Sequence, residues 1–144
     1  MVSHDSYQDA YLSAILTRTK TIAVVGASDD PARPSYEVFH YLKEHGYRIS
    51  AVNPKLAGQT ILDVPVYATL ADVPGRIDMV DVFRNNAAIP GIIDEVLALS
   101  QAPSSIWMQI GVRVDDAARK AEAAGIEVVM DRCPKIEIPR LGLV

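Results

Sequence analysis

One cysteine, three histidines and no surplus of positive charge set the first limits on this chain. A lone cysteine closes no internal disulfide, and a reducing cytoplasm is the simplest compartment for such a sequence. The histidines build no metal centre. His4 stands near the amino terminus, and His40 and His45 are five residues apart on one helical stretch, off a common face. No apolar run approaches the roughly 20 residues that cross a bilayer. The first 20 residues carry Asp5 and Asp9 and lack the apolar core of an export signal. Fourteen basic side chains against eighteen acidic ones leave a net charge of −4. That balance argues against nucleic acid or an anionic membrane as a partner, although not against a small basic pocket. No repeat, low-complexity tract or compositional break divides residues 1–144, so one domain is expected.

The chain also lacks a complete dinucleotide fingerprint. Residues 21–26 (TIAVVG) are β-branched and apolar and end in Gly26-Ala27-Ser28. They read as a buried parallel strand that feeds a phosphate-loop turn. Ser28 stands where a second glycine belongs, and Pro31 where a third does. A second strand, 47–52, ends in Asn53-Pro54-Lys55, where a dinucleotide site places an acid for the adenosine ribose. An amide, a turn and a cation suit a ligand with an additional phosphate.

Strand and helix patterns alternate along the rest of the sequence. Helices are expected over 5–17, from Pro34 to about His45 with Gly46 closing it, and after Asn85 or Asn86 through Ile92, Ile93, Val96, Leu97 and Leu99. A further short helix is expected from an Asp115 cap to Ala124. Strands are expected over 78–83, 104–109 and 126–130. Residues 54–76 read as irregular, with a short edge strand at 64–67 and one helical turn at 70–73. The tail, 133–144, carries two prolines and reads as irregular. The fold class is α/β: a Rossmann-like, doubly wound parallel sheet of about five strands with flanking helices.

In such a sheet, ligands bind beyond the carboxyl ends of the strands. The residues there are Gly26-Ala27-Ser28, Asn53-Pro54-Lys55, Arg84-Asn85, Gln109-Ile110-Gly111 and Asp131-Arg132-Cys133. The set is rich in cations and small turns and has no nucleophile-and-base pair, so it reads as an anion site. Gly26 admits backbone N–H groups to a phosphate, and Ser28 adds a hydroxyl donor. Lys55 suits a ribose phosphate, against the ordinary fate of a solvated loop lysine. Arg84 either reaches a diphosphate or pairs with Asp81 or Asp63. Cys133, between Arg132 and Lys135, is either a buried core residue or a thiol made reactive by its cationic neighbours.

The segments TIAVVGASDDPARPSYEVFHYLKEHGYRISAVNPK, DMVDVFR and MDRCPKIE resemble those of the small stand-alone CoA-binding proteins of bacteria. These are similar to the amino-terminal CoA-binding domain of the succinyl-CoA synthetase α subunit. The resemblance covers roughly residues 8–140. It implies coenzyme A or an acyl-CoA as the small-molecule ligand, with Gly26, Ala27 and Ser28 on phosphate. It places Val52, Asn53, Pro54 and Lys55 around the adenosine part and Phe83 and Arg84 on the opposite wall. The synthetase's second domain, with its phosphorylated histidine, is missing here, so no catalytic activity of its own is expected. Two other readings stay open, an NAD(P)-binding oxidoreductase-like domain and a thiol redox carrier that uses Cys133. A protein partner is left open.

Overall fold

The computed structural model describes residues 2–143. A helix, α1 (Asp9–Arg18), leads into β1 (Thr21–Val25), α2 (Pro34–Glu44) and β2 (Arg48–Val52). A 3₁₀ turn (Pro54–Leu56) then precedes β3 (Thr60–Ile61) and β4 (Val64–Tyr67). A second turn (Leu70–Asp72) leads to β5 (Met79–Val82). The chain continues through α3 (Ile89–Leu97), β6 (Ser105–Met108), α4 (Asp115–Ala123), β7 (Glu127–Val129) and α5 (Pro134–Arg140). The strands form one sheet in the order β3-β4-β2-β1-β5-β6-β7. Every pairing is parallel except β3 with β4.

Alternation along the central strands divides the core in two. Ala23, Val25, Val80, Val82, Ile106 and Met108 face α3 and α4, which supply Ile89, Ile93, Val96, Ala118 and Ala121. Ile22, Val24, Met79 and Trp107 face the other side, with Leu12, Ile15 and Leu16 of α1, Phe39 and Leu42 of α2, and Ile138 of α5. Both faces of the sheet are therefore covered, as its near-continuous apolar strands require. Two buried polar side chains break the pattern, Ser105 at the start of β6 and Asp81. Asp81, in the middle of β5, is fully buried between Val24 and Trp107 on the neighbouring strands. Neither of its carboxyl oxygens has a hydrogen-bond partner among the described residues.

Four details differ from expectation. The sheet has seven strands, not about five. The additional strand β3 joins β4 through Leu62-Asp63, both at positive φ (48° and 67°), the two-residue turn that matches strand twist. The tail is helical rather than irregular. Pro134 stands in the first turn of α5, where its missing N–H costs nothing, and Pro139 lies in the last turn, where a single ladder bond is lost. Asp115 is the first helical residue of α4, not its cap, and its carboxylate accepts from Arg113 Nε and Nη2 at 2.8 and 3.0 Å. Leu99 lies beyond the end of α3. Asn85 does cap the turn leading into α3, with its Oδ1 accepting from Ala88 N–H at 3.2 Å.

Tyr7, just before α1, and Tyr11, in its first turn, cover the outer edge at β7. The Tyr11 hydroxyl donates to the carbonyl of Val128 at 2.9 Å, and the Tyr7 hydroxyl accepts from the N–H of Met130 at 2.8 Å. The two rings stack 5.8 Å apart, and the Arg132 guanidinium lies 4.9 Å above the Tyr7 ring.

Candidate functional site

After β1 the chain crosses to β2 on one side of the sheet, and it later returns to β5 on the other. The crevice between the carboxyl ends of β1 and β5 is thus the topological switch point. A cleft of about 1110 Å³ opens there, of the size that takes a cofactor. Gly26, Ala27, Ser28, Val52, Asn53, Pro54, Lys55, Phe83 and Arg84 all line it. The nine residues singled out in the sequence therefore meet in one place, although their tasks differ.

Gly26 belongs to the framework. It has φ +83°, and its N–H already donates to Val52 O at 3.0 Å. A Cβ at this position would lie 2.4 Å from the backbone oxygen of Phe83. This packing gives the glycine a task beside the one expected of it: it lets β1 and β5 close on each other. The free donors come next in the chain. The N–H groups of Ala27, Ser28 and Ser35 have no acceptor among the described residues. Ala27 is fully buried, and buried donors without an acceptor are rare in proteins. Ser35 stands in the first turn of α2, where the helix dipole adds a partial positive charge. The Ser28 hydroxyl accepts from Asp30 N–H at 3.0 Å and keeps its own proton to give.

Asn53 is also committed to the protein. Its Nδ2 donates to Ala27 O, and its Oδ1 accepts from Lys55 N–H, both at 2.9 Å. The amide ties the end of β2 to the loop after β1 and fixes the backbone from which Lys55 projects. Val52 is buried beneath this end, Pro54 starts the 3₁₀ turn, and Phe83 is half-buried. Lys55 and Arg84 are exposed, and neither has a carboxylate within 4 Å among the described residues. Pairing of Arg84 with Asp81 is excluded by the complete burial of Asp81, and Asp63 does not reach it either.

Three contributors escape strand-end reasoning. Arg33 caps α2 and lies 3.9 Å from Asp30. Ile92 and Glu95 reach the cleft from α3, and Glu95 Oε1 accepts from Leu70 N–H at 2.8 Å. A cation immediately before Pro34 was a readable signal for Arg33. Nothing in the sequence marks one carboxylate of an amphipathic helix as a cleft residue.

Gln109 and Ile110 line the far side of the cleft, but Asp131, Arg132 and Cys133 do not. Strand β7 is the sheet edge, too far from the β1–β5 crevice to contribute. Cys133 is buried in the cluster that includes Trp107 and Ile138. The cationic setting expected for it is absent: Lys135 pairs with Glu37 at 3.2 Å, and Arg132 lies over Tyr7. Among the described residues no helix is long and apolar enough to cross a membrane, and no cluster of ligating side chains forms a metal site.

A family model described as CoA binding domain matches residues 20–139. A Bacillus subtilis protein described as uncharacterized protein YneT is 38% identical over 127 residues, covering 88% of this chain and 91% of that protein's length. The α subunit of an ADP-forming acetate–CoA ligase II from Pyrococcus furiosus is 39% identical over 59 residues. That match takes in 40% of this chain and 12% of the ligase subunit. Among solved structures, a Thermus thermophilus protein described as cell-free ID.343 superposes with a TM-score of 0.88 at 41% identity, over 94% of this chain and 99% of that one. A hypothetical protein from Pyrococcus horikoshii gives the same TM-score at 33% identity, over 98% and 96% of the two chains.

Proposed function

The chain belongs to the CoA-binding domain family, and from that membership we propose that it binds coenzyme A or an acyl-CoA in the cleft at the β1–β5 switch point. One observation carries the reading. In a chain of net charge −4, two cations without carboxylate partners and a set of unused N–H donors converge on one crevice. CoA carries a diphosphate and a ribose 3′-phosphate, and the crevice offers a partner for each. The diphosphate would take the donors of Ala27, Ser28 and the α2 amino terminus, with Arg84 beside them. The 3′-phosphate would take Lys55.

We also propose that the whole chain acts as one binding domain without chemistry of its own. Neither histidine nor cysteine lines the cleft, and no hydroxyl there is paired with a base. An NAD-like ligand is disfavoured at the end of β2, where the side-chain oxygen of Asn53 is occupied by Lys55 N–H and a lysine stands in place of the acid that follows this strand in a dinucleotide site.

Ligand-linked stability tests the reading. CoA at about 100 times its dissociation constant should stabilise the fold by about 2.7 kcal/mol. A melting-temperature screen should show a CoA shift larger than that from NAD or NADP. A shift with the dinucleotides and none with CoA would reject the proposal.

The assignment of Lys55 has its own test. Lys55→Ala should weaken CoA by roughly 1–2 kcal/mol, the scale of an exposed charge-assisted hydrogen bond. Binding of 3′-dephospho-CoA should change little. Calorimetry on both ligands measures the difference, and equal losses would move the 3′-phosphate elsewhere.

A further inference from the structure

Three carboxylates line the cleft: Asp29 and Asp30 lie in the loop after β1, and Glu95 alone comes from a helix, where phosphate binding gives it no task. Glu95 lines the cleft from α3, as do Ile92 of the same helix, Val52 and Ala68. Its bond to Leu70 places it near the chain that follows β4, and that chain adjoins the end of β2, because Asn53 N–H donates to Tyr67 O at 2.9 Å, directly before Ala68. Lys55 follows two residues after Asn53. The side chain is held in place: Oε1 accepts from Leu70 N–H at 2.8 Å. The second oxygen, Oε2, has no partner among the described residues. A fixed carboxylate with one open acceptor, in a cleft that Val52, Ala68 and Ile92 also line, suits a flat apolar group that carries an N–H donor on its rim. It repels phosphate.

We infer that Glu95 reads the exocyclic amino group of an aminopurine, so that the site selects adenine over hypoxanthine. The inference rests on the CoA reading, which places the adenosine end beside Lys55. Adenine presents an NH₂ group at C6 and hypoxanthine presents a carbonyl oxygen. Glu95 Oε2 accepts from the first and faces the second acceptor to acceptor. The hydrogen bond from Leu70 makes the argument reversible. In Glu95→Gln the side-chain oxygen must stay toward Leu70 N–H, which has only a donor to offer. The amide NH₂ is then turned into the cleft, where it opposes the amino group of adenine and donates to the carbonyl of hypoxanthine.

The experiment is calorimetric titration with adenosine 3′,5′-bisphosphate and inosine 3′,5′-bisphosphate, each into wild type and Glu95→Gln, with CoA as reference. Wild type should prefer the adenosine compound by about tenfold or more. Glu95→Gln should remove or invert that preference while keeping the wild-type melting midpoint, because the bond to Leu70 survives. Equal binding of the two bisphosphates by a wild type that binds CoA would overturn the role of Glu95 and leave the CoA reading standing. A preference unchanged in Glu95→Gln would do the same. Failure of CoA and both bisphosphates to bind would remove the CoA reading and this inference together.

Discussion

Asp81→Asn should be more stable than the wild type at pH 8 and nearly equal to it at pH 4. The Asp81 carboxyl is fully enclosed, and burial without a hydrogen-bond partner pushes its pKa from 3.8 up to about 8. Below pH 4 the carboxyl is protonated in both folded and unfolded chains, and it contributes no pH dependence. Between pH 4 and 8 the unfolded chain releases the proton and the folded one retains it. The unfolded state then binds fewer protons, so stability falls as pH rises, by about 1.4 kcal/mol per unit. Above pH 8 the folded carboxyl ionises as well and this decline ends. The accumulated loss is on the order of 5 kcal/mol, a large share of an ordinary domain's stability. Asparagine has the same shape and does not titrate. Urea unfolding of both proteins from pH 4 to 8 isolates the contribution, because every other group titrates alike in the two. Parallel curves would show that Asp81 is ionised in the folded chain and has found a partner there.

The second large effect concerns Gly26. Gly26→Ala should lower the denaturation midpoint sharply, before any question of ligand arises. The left-handed backbone alone costs an alanine about 1–2 kcal/mol. The overlap with the Phe83 carbonyl adds a further penalty of about 1–3 kcal/mol, since the backbone directly after β5, tied by Phe83 N–H to Val25 O, cannot swing aside as a side chain can. Chemical denaturation measures the sum. A variant with wild-type stability that has lost CoA binding would leave Gly26 only the role of admitting phosphate.

The same glycine shows how far the sequence could be read. A β-branched run ending in glycine located the turn, but the reason for the glycine lay in Phe83, 57 positions away, and no local pattern carries that. Strands β1, β2, β4, β5, β6 and β7 were legible because each is an apolar run with turn residues beside it. Strand β3 was not, because two residues have no period, and its turn uses Leu62-Asp63 where asparagine and glycine would have been recognised. Helix α5 was hidden by its prolines, which signal breakage in a helix interior and not at its ends. The cleft was legible where strands end and illegible where helices line it. Strand-end logic found Lys55 and Arg84 and missed Glu95. It also collected Cys133, because position along the chain does not tell a central strand from an edge strand.

The tyrosine pair on β7 bears on how the molecule reaches this structure. Tyr7 and Tyr11 leave the ribosome before any other part of the sheet, yet their acceptor and donor, Val128 and Met130, are made more than a hundred residues later. The arm must wait for the last strand, and its docking closes one of the longest loops in the chain. Loop closure on that scale is slow compared with the local steps of helix and turn formation. Until it occurs, β7 presents unpaired backbone groups to its surroundings, which is the condition under which nascent sheets recruit one another. Early synthesis of the segment that carries Tyr7 and Tyr11 therefore does not protect this edge until β7 itself has been made.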